Sequence, residues 1–430
     1  MQRIRAVDAF AIFAWVIMFW LIAGYRGSPD LEATWIAAAF FAAGDYGNVY
    51  PPPGPLFTMQ PPEAWLPLLE GPGAVREMFP YVYPPLWAAL VAEALPYAPF
   101  SRAEPLATAL NAALLVAIPV LAWRAARSPI PLAIWLMVAG AAMITTHVGF
   151  IAIKQNQPQI LVSFLMVLAI ERSRAEAPIA AGAALACAAA IKGYPALFAM
   201  LWLAGGNWRA VMAFAGFGGT LAAASIALAG WPLHAAFLAQ LKSISATLLY
   251  TPISYNLNGI AIAFLEGGSF QFVESARAAA SGQTSGWHVA QKPPAWILAT
   301  GTGTALTLGW LAIAYRHASA GARHTLLWPL AIGTIALLAP LTWSYHYLPM
   351  FAFLPALLTT FGARRGAILL IVLLLPLQAT VLPHYIDAQF VKNPTQFLGS
   401  VAMAGLVLAF LIAHLAPRHL PTPAAKPEPA

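Results

Sequence analysis

An all-α fold, a polytopic bundle of transmembrane helices, is predicted by three features of the sequence. Of the 430 residues, 60% are apolar and 9% charged, a balance far from that of soluble domains. Runs of about 20 apolar residues, the length that crosses a hydrocarbon layer as a helix, recur from one end of the chain to the other. These runs are continuous rather than alternating, which argues against a β-barrel, and no stretch between them is large enough for a sizeable soluble domain.

The first run covers 8–25, behind the basic start "MQRIR". No small-x-small cleavage pattern closes it and further spans follow, so it reads as a retained signal anchor with its arginines on the cytoplasmic side. Further spans are expected at 84–98, 103–124, 130–148, 157–171, 177–191, 194–206, 208–231, 295–316, 323–340, 345–361, 366–383 and 396–416. That makes about 12 (11–13) membrane helices. Two polar-enriched interruptions are expected to face outward. The first, 26–83, holds "TWIAAAFFAAGD", which has the pattern of a helix lying in the interface, and then a proline-rich stretch. The second, 232–294, contains "LKSISATLLYTPISYNLNGIAIAF" and is also expected to include an interfacial helix. Residues 1–420 read as one integral-membrane domain and 421–430 as a disordered tail. Cys187, the single cysteine, sits in an apolar run and reads as packing.

Sidedness in the middle of the chain has two solutions. If every segment between the two outer loops crosses, "WRAARSP" and "ERSRAE" fall outside, against the positive-inside tendency. If 84–124 is one broken crossing they fall inside, and "KGYP" at 192–195 must then separate two short spans. Both solutions leave Asp30 outside. The net charge of +7 follows from this orientation rule; no basic stripe with interleaved aromatics points to nucleic acid.

Ionisable groups at or near membrane depth are costly, so each is a functional candidate. Asp30 and Glu32 lie in "RGSPDLEATW", directly after the first span, and read either as solvated loop charges or as site carboxylates, with Glu32 the blander of the two. "PLTWSYHY" (340–347) brings Trp343, Tyr345, His346 and Tyr347 to an outer boundary. An aromatic belt explains the Trp and Tyr residues, whereas His346 reads as a donor to an anionic oxygen or a sugar hydroxyl, or as a satisfied lone histidine. In "KGYP" a glycine and a proline free backbone groups beside Lys192, which reads as a phosphate ligand or as a snorkelling helix end. The amides of "KQNQPQ" (Asn156, Gln157, Gln159) and of "SYNLNG" (Asn256, Asn258) suit sugar hydroxyls, and equally suit caps and turns. No Walker loop, metal-ligand spacing or Gly-x-Ser-x-Gly nucleophile occurs, so no metal and no cofactor is expected.

With "PDLEATWIAAAFFAAGDYGNVYPPP", "YVYPPLWAAL", "KQNQPQ", "KGYP" and "LTWSYHYLPM" in that order, the chain resembles the polyprenol-phosphate-mannose-dependent mannosyltransferases of glycosyltransferase family 87, in the integral-membrane GT-C superfamily. The likeness runs from the first span to about residue 360. Asp30, Trp35, Gly44, "VYPP" and "YPPLW" match the family's outer-loop pattern, while its Gly-Gln-x-Asn element appears only loosely as "KQNQPQ". The resemblance implies a GT-C-like fold, a polyprenyl-phosphate sugar donor, a lipid, glycan or protein acceptor, and an active site on the outer face of the plasma (inner) membrane. It also implies that Asp30 is the catalytic base of an inverting hexosyl transfer. His346, Lys192, Tyr345, Tyr83, Asn256, Asn258, Gln157 and Glu32 are the candidate substrate-binding residues, and Tyr50 and Trp87 are expected to help shape the cavity. The rival reading is a secondary transporter or a lipid-carrier flippase. A transporter would show internal repeats, and none is found.

Overall fold

The computed structural model describes residues 5–24, 27–51, 54–69, 78–262, 270–275, 286–378 and 394–416; the expected tail at 421–430 lies outside them. In chain order the helices are α1 (Ala6–Ala23), α2 (Pro29–Ala42), α3 (Pro85–Ala92), α4 (Phe100–Ala126), α5 (Leu132–Thr145), α6 (His147–Lys154), α7 (Gln159–Arg174) and α8 (Pro178–Ile191). A 3-10 turn at Tyr194–Phe198 feeds α9 (Ala199–Ala204), and α10 (Trp208–Ala246) follows. Beyond it come β1 (Thr247–Tyr250), α11 (Leu257–Ile262), β2 (Gln271–Glu274) and β3 (Gly286–Gln291). The chain continues through α12 (Pro294–His317), α13 (Trp328–Leu338), α14 (Leu348–Phe351), α15 (Ala356–Phe361), α16 (Ala363–Leu374) and α17 (Pro394–Leu415).

Among the described residues five helices, α1, α4, α10, α12 and α17, are long and apolar enough to cross a membrane. The protein is therefore a helical membrane protein, but several expected spans take a different form. The segment 84–98 does not form a helix long enough to cross: α3 begins at paired prolines and stops at Ala92, before Pro96 and Pro99, whose missing N–H groups end helices. The expected span at 130–148 extends to Lys154 and is broken at Thr146, whose side chain caps α6 by accepting the Val148 N–H. The span expected at 345–361 is a 3-10 turn followed by α14 and α15, interrupted near Pro355, and its side chains from Tyr347 to Leu354 are almost wholly enclosed at the centre of the bundle.

The outer segment after residue 231 differs most from expectation. Rather than ending there, α10 bends at Gly230 (φ 71°, ψ 158°) beside Pro232 and continues to Ala246. The region expected to hold an interfacial helix contains, beside the short α11, an antiparallel three-stranded sheet in the order β1-β3-β2. Thr247 pairs with Gln291 and Tyr250 with His288, while Gln271 pairs with Val289 and Glu274 with Gly286. Lys292, just past β3, donates from Nζ to the carbonyls of Ser245 and Pro340 at 3.0 Å each, tying the sheet to the 340 loop. Cys187 is exposed on α8 rather than packed inside.

Packing bears on how the middle of the chain is threaded. Gly182 of α8 abuts Ala210, Ala213 and Phe214 of α10, and Gly218 abuts Ala186. Both helices therefore rise in the same direction, and the segment between them must return, so "KGYP" separates two short limbs. Consistent with that, Arg124 at the end of α4 lies 3.2 Å from Glu171 near the end of α7, which also pairs with Arg172. His324 reaches Ser173 at 3.3 Å at the same end. The opposite end of α4 meets α2, where Phe100 packs 6.0 Å from Trp35. From Glu104 to Arg124 the helical rise is about 30 Å, the thickness of a hydrocarbon core. There, a second apolar cluster packs α2 against Val49, Tyr50, Trp65, Tyr81 and Leu233.

Candidate active site

The short connection after α1 leads into α2, which begins at Pro29, so Asp30 is its second residue. A carboxylate there faces the unsatisfied N–H groups and positive end of the helix dipole. The Asp30 carbonyl accepts the Thr34 hydroxyl at 2.9 Å, which leaves the side chain to be placed by its neighbours. One of these comes from the tight turn between α6 and α7. There Asn156 adopts φ 47°, and the reversal turns Gln157 toward α2. Gln157 Nε2 donates to Asp30 Oδ2, and its Oε1 accepts the Tyr83 hydroxyl at 3.0 Å. Hydrogen bonds to an ionised carboxylate are the strong kind.

Lys192 sits in the break between α8 and the following 3-10 turn, opposite Asp30. Its Nζ lies 5.2 Å from the centroid of the Tyr83 ring and 5.1 Å from that of Tyr345, within cation–π range. Burial pushes its ammonium down to about 7, and the nearby Asp30 charge acts in the opposite direction. His346 completes this side, 5.1 Å from the Tyr345 ring and 5.6 Å from that of Tyr194. The backbone N–H of Trp343 donates to His346 Nδ1 at 3.0 Å. The same Nδ1 lies 3.2 Å from the Trp343 carbonyl; in the tautomer where Nδ1 accepts, Nε2 carries the proton and can donate it.

These groups form the polar floor of one cavity of about 410 Å³. Its lining includes Asp30, Tyr83, Gln157, Lys192, Tyr345 and His346, so six of the residues singled out in the sequence converge although they come from five separate stretches of chain. Its other walls are apolar, with Phe57, Met59, Phe79, Trp287, Leu341 and Trp343 on one side and Phe237, Leu241 and Ile244 of α10 on another. A second void of about 490 Å³ shares Pro84 and Phe237 with it, and runs between α3, α8 and α10 past alanines and glycines. Tyr50 supports the floor from behind, donating to the Tyr83 carbonyl at 2.7 Å.

Other expected residues are placed elsewhere. Asn256 Nδ2 donates to the Ala339 carbonyl at 3.3 Å, and Asn258 Nδ2 to that of Pro340 at 2.6 Å while its Oδ1 accepts the Trp296 indole N–H. Both amides thus fasten the chain after β1 to the 340 loop, and neither lines the cavity. Glu32 and Trp87 are likewise not among the lining residues. Gln155, Tyr194, Phe57 and Trp287 do line it and were not singled out. Gln155 and Tyr194 carried a signal, since each adjoins a flagged residue; Phe57 and Trp287 lie in loop sequence that resembles any interfacial belt.

A sequence profile described as glycosyltransferase family 87 matches residues 81–340, well over half of the chain. The matched region contains Tyr83, Gln157 and Lys192, and leaves Asp30 and His346 outside it. No curated protein matches the chain.

Proposed function

Because the chain belongs to glycosyltransferase family 87, we propose that it moves a hexose, in the first instance mannose, from a polyprenyl-phosphate sugar to a hydroxyl of a lipid, glycan or protein acceptor. The observation that carries this reading is the presence of Asp30 and Lys192 in one cavity, close enough for their charges to interact. One is a group that takes a proton, and the other a cation that attracts a phosphate.

The chemistry follows from those two roles. An acceptor hydroxyl is a poor nucleophile until a base in hydrogen-bond reach removes its proton. Asp30 takes that proton as the oxygen forms its bond to the anomeric carbon. The bond from that carbon to the phosphate oxygen breaks, and the electron pair leaves with polyprenyl phosphate. Approach opposite the phosphate inverts the anomeric centre. Lys192 and the Nε2–H of His346 stabilise the negative charge that grows on the departing phosphate. Tyr83 and Tyr345 frame the ammonium, and Gln157 holds the carboxylate; Asn256, Asn258 and Glu32 are left without a role in the transfer.

The reading extends to the whole membrane protein. The shorter helices complete about 12 crossings in a GT-C-like arrangement. The arginine-rich end faces the cytoplasm and the cavity faces outward from the plasma (inner) membrane. The apolar void beside α10 offers the prenyl chain a route from the bilayer.

Incubating the purified protein with a panel of polyprenyl-phosphate hexoses tests the reading. One donor should be consumed, with transfer or slow hydrolysis, and Asp30→Asn should lower turnover by about 10²–10⁴ while the protein stays folded. Turnover at the normal rate in that variant would remove Asp30 as the base. A flippase or transporter would instead return labelled donor intact.

A further inference from the structure

On the side of Asp30 away from the cavity, α4 turns a polar face toward the start of α2. Glu104, Thr108 and Asn111 follow one another at helical spacings of four and three residues, so they share one side of the helix. Polar groups inside a membrane bundle are costly unless they meet partners, and each of these does. Asn111 Nδ2 donates to Asn156 Oδ1 at 3.0 Å. Asn156 Nδ2 in turn donates to Ser28 Oγ at 2.8 Å and to Thr108 Oγ1 at 2.7 Å. Ser28 donates to Glu104 Oε1 at 2.7 Å, and Thr108 to the Glu104 carbonyl at 2.8 Å. The donors all run one way, from Asn111 toward Glu104. Such a chain needs a two-proton donor in its middle and an acceptor at its end, which is what Asn156 and Glu104 supply.

Its two contact points explain what it does. Ser28 is the residue before Pro29 and two before Asp30, and its hydroxyl makes no capping bond to α2; it is engaged by the network instead. Asn156 is the left-handed residue whose turn aims Gln157 at the carboxylate. The network therefore grips both the start of α2 and the turn that carries Gln157, and these together determine where the carboxylate points. We propose that Ser28, Glu104 and Asn156 are positioning residues, a buried brace that holds the Asp30 carboxylate in register with the acceptor hydroxyl. The inference rests on the reading of Asp30 as the base. Small displacements of a catalytic group cost much of its effect, about 10²-fold for 1 Å.

Four variants in the purified enzyme test it, with thermal unfolding in detergent as a check on folding. Ser28→Ala removes one hydroxyl, and Asn156→Gly removes the amide while accepting the left-handed backbone. Each should lower kcat by about tenfold or more, with the donor KM within about twofold of normal. Glu104→Gln keeps an acceptor oxygen for Ser28 and should retain most of kcat, whereas Glu104→Leu should not. Should Glu104→Leu fail to fold, the first two variants decide. Normal kcat in Ser28→Ala and Asn156→Gly, alongside an inactive Asp30→Asn, would overturn the brace and leave the base in place. Equal loss in both Glu104 variants, or a raised donor KM at unchanged kcat, would also overturn it. An active Asp30→Asn would mark failure of the base reading instead.

Discussion

In the proposed function Lys192 attracts the donor phosphate, and burial limits the pH range over which it carries its charge. With burial pushing it down to about 7, the ammonium is charged below that pH and becomes neutral above it. A donor phosphodiester remains anionic throughout, so the attraction weakens as pH rises. Because kcat/KM reports the free enzyme, donor kcat/KM should fall above pH about 7, a limb that Lys192→Arg should remove because guanidinium stays charged. A pH series on both proteins checks this, and an unchanged limb in Lys192→Arg would assign it to another group. The polar floor was legible in the sequence because charges are rare in an apolar chain: Asp30, Lys192 and His346 stand out. Asn256 and Asn258 misled for a chemical reason, since an amide that will bind a backbone carbonyl looks the same as one awaiting a sugar. Phe57 and Trp287 were hidden by abundance, aromatic residues being 12% of the chain.

Among elements, the contact of α8 with α10 matters most for the site, because α8 delivers Lys192. Within a membrane, helices gain from close packing rather than from exclusion of water. At Gly182 a Cβ would stand 2.6 Å from the Ala210 carbonyl oxygen and 2.7 Å from Ala213 Cβ, so the backbones approach as closely as glycine permits. Gly182→Val should therefore destabilise the protein by about 1–3 kcal/mol, lower its unfolding temperature in detergent, and raise the donor KM by shifting Lys192. Gly216→Ala on α10, where a Cβ meets nothing within 4 Å, should leave the donor KM unchanged and the stability equal or up to about 1 kcal/mol higher, because alanine is the better helix former. Equal loss of stability in the two would mean that the close approach at Gly182 is not what governs, since alanine is the better helix former. Periodicity and composition located α1, α4, α8 and α12 within a few residues. They did not locate the end of α10, because Gly230 and Pro232 read as a terminus where the chain only bends. The sheet was invisible for a related reason: β1 and β2 have four residues each, too short to show an alternating pattern, and their pairing depends on β3 some way along the chain.

For the molecule as a whole, the outstanding property is direction. Hydropathy left two threadings open, and charge favoured the one in which 84–124 makes a single crossing. The register of α8 against α10 suits both, whereas the shortness of α3, which stops at Ala92, favours the single crossing, and the bundle gathers Arg124, Arg172 and Glu171 at one end while Asp30 occupies the other. In the proposed function the positive-inside tendency puts the arginine-rich end in the cytoplasm. Cysteine labelling tests this directly. In a Cys187→Ala background, Tyr97→Cys lies just before α4, where the native side chain is 87% exposed. Ala175→Cys lies in the exposed turn between α7 and α8. A membrane-impermeant maleimide should label Tyr97→Cys in intact cells and Ala175→Cys only after permeabilisation. The opposite pattern would mean either that the cavity faces the cytoplasm or that 84–98 also crosses, and labelling of a cysteine in the 340 loop, beside the cavity, would separate the two. Labelling of both sites in intact cells would contradict the alternation of α4, α5–α6 and α7, since the two positions share a side only if one of these three passes fails to span.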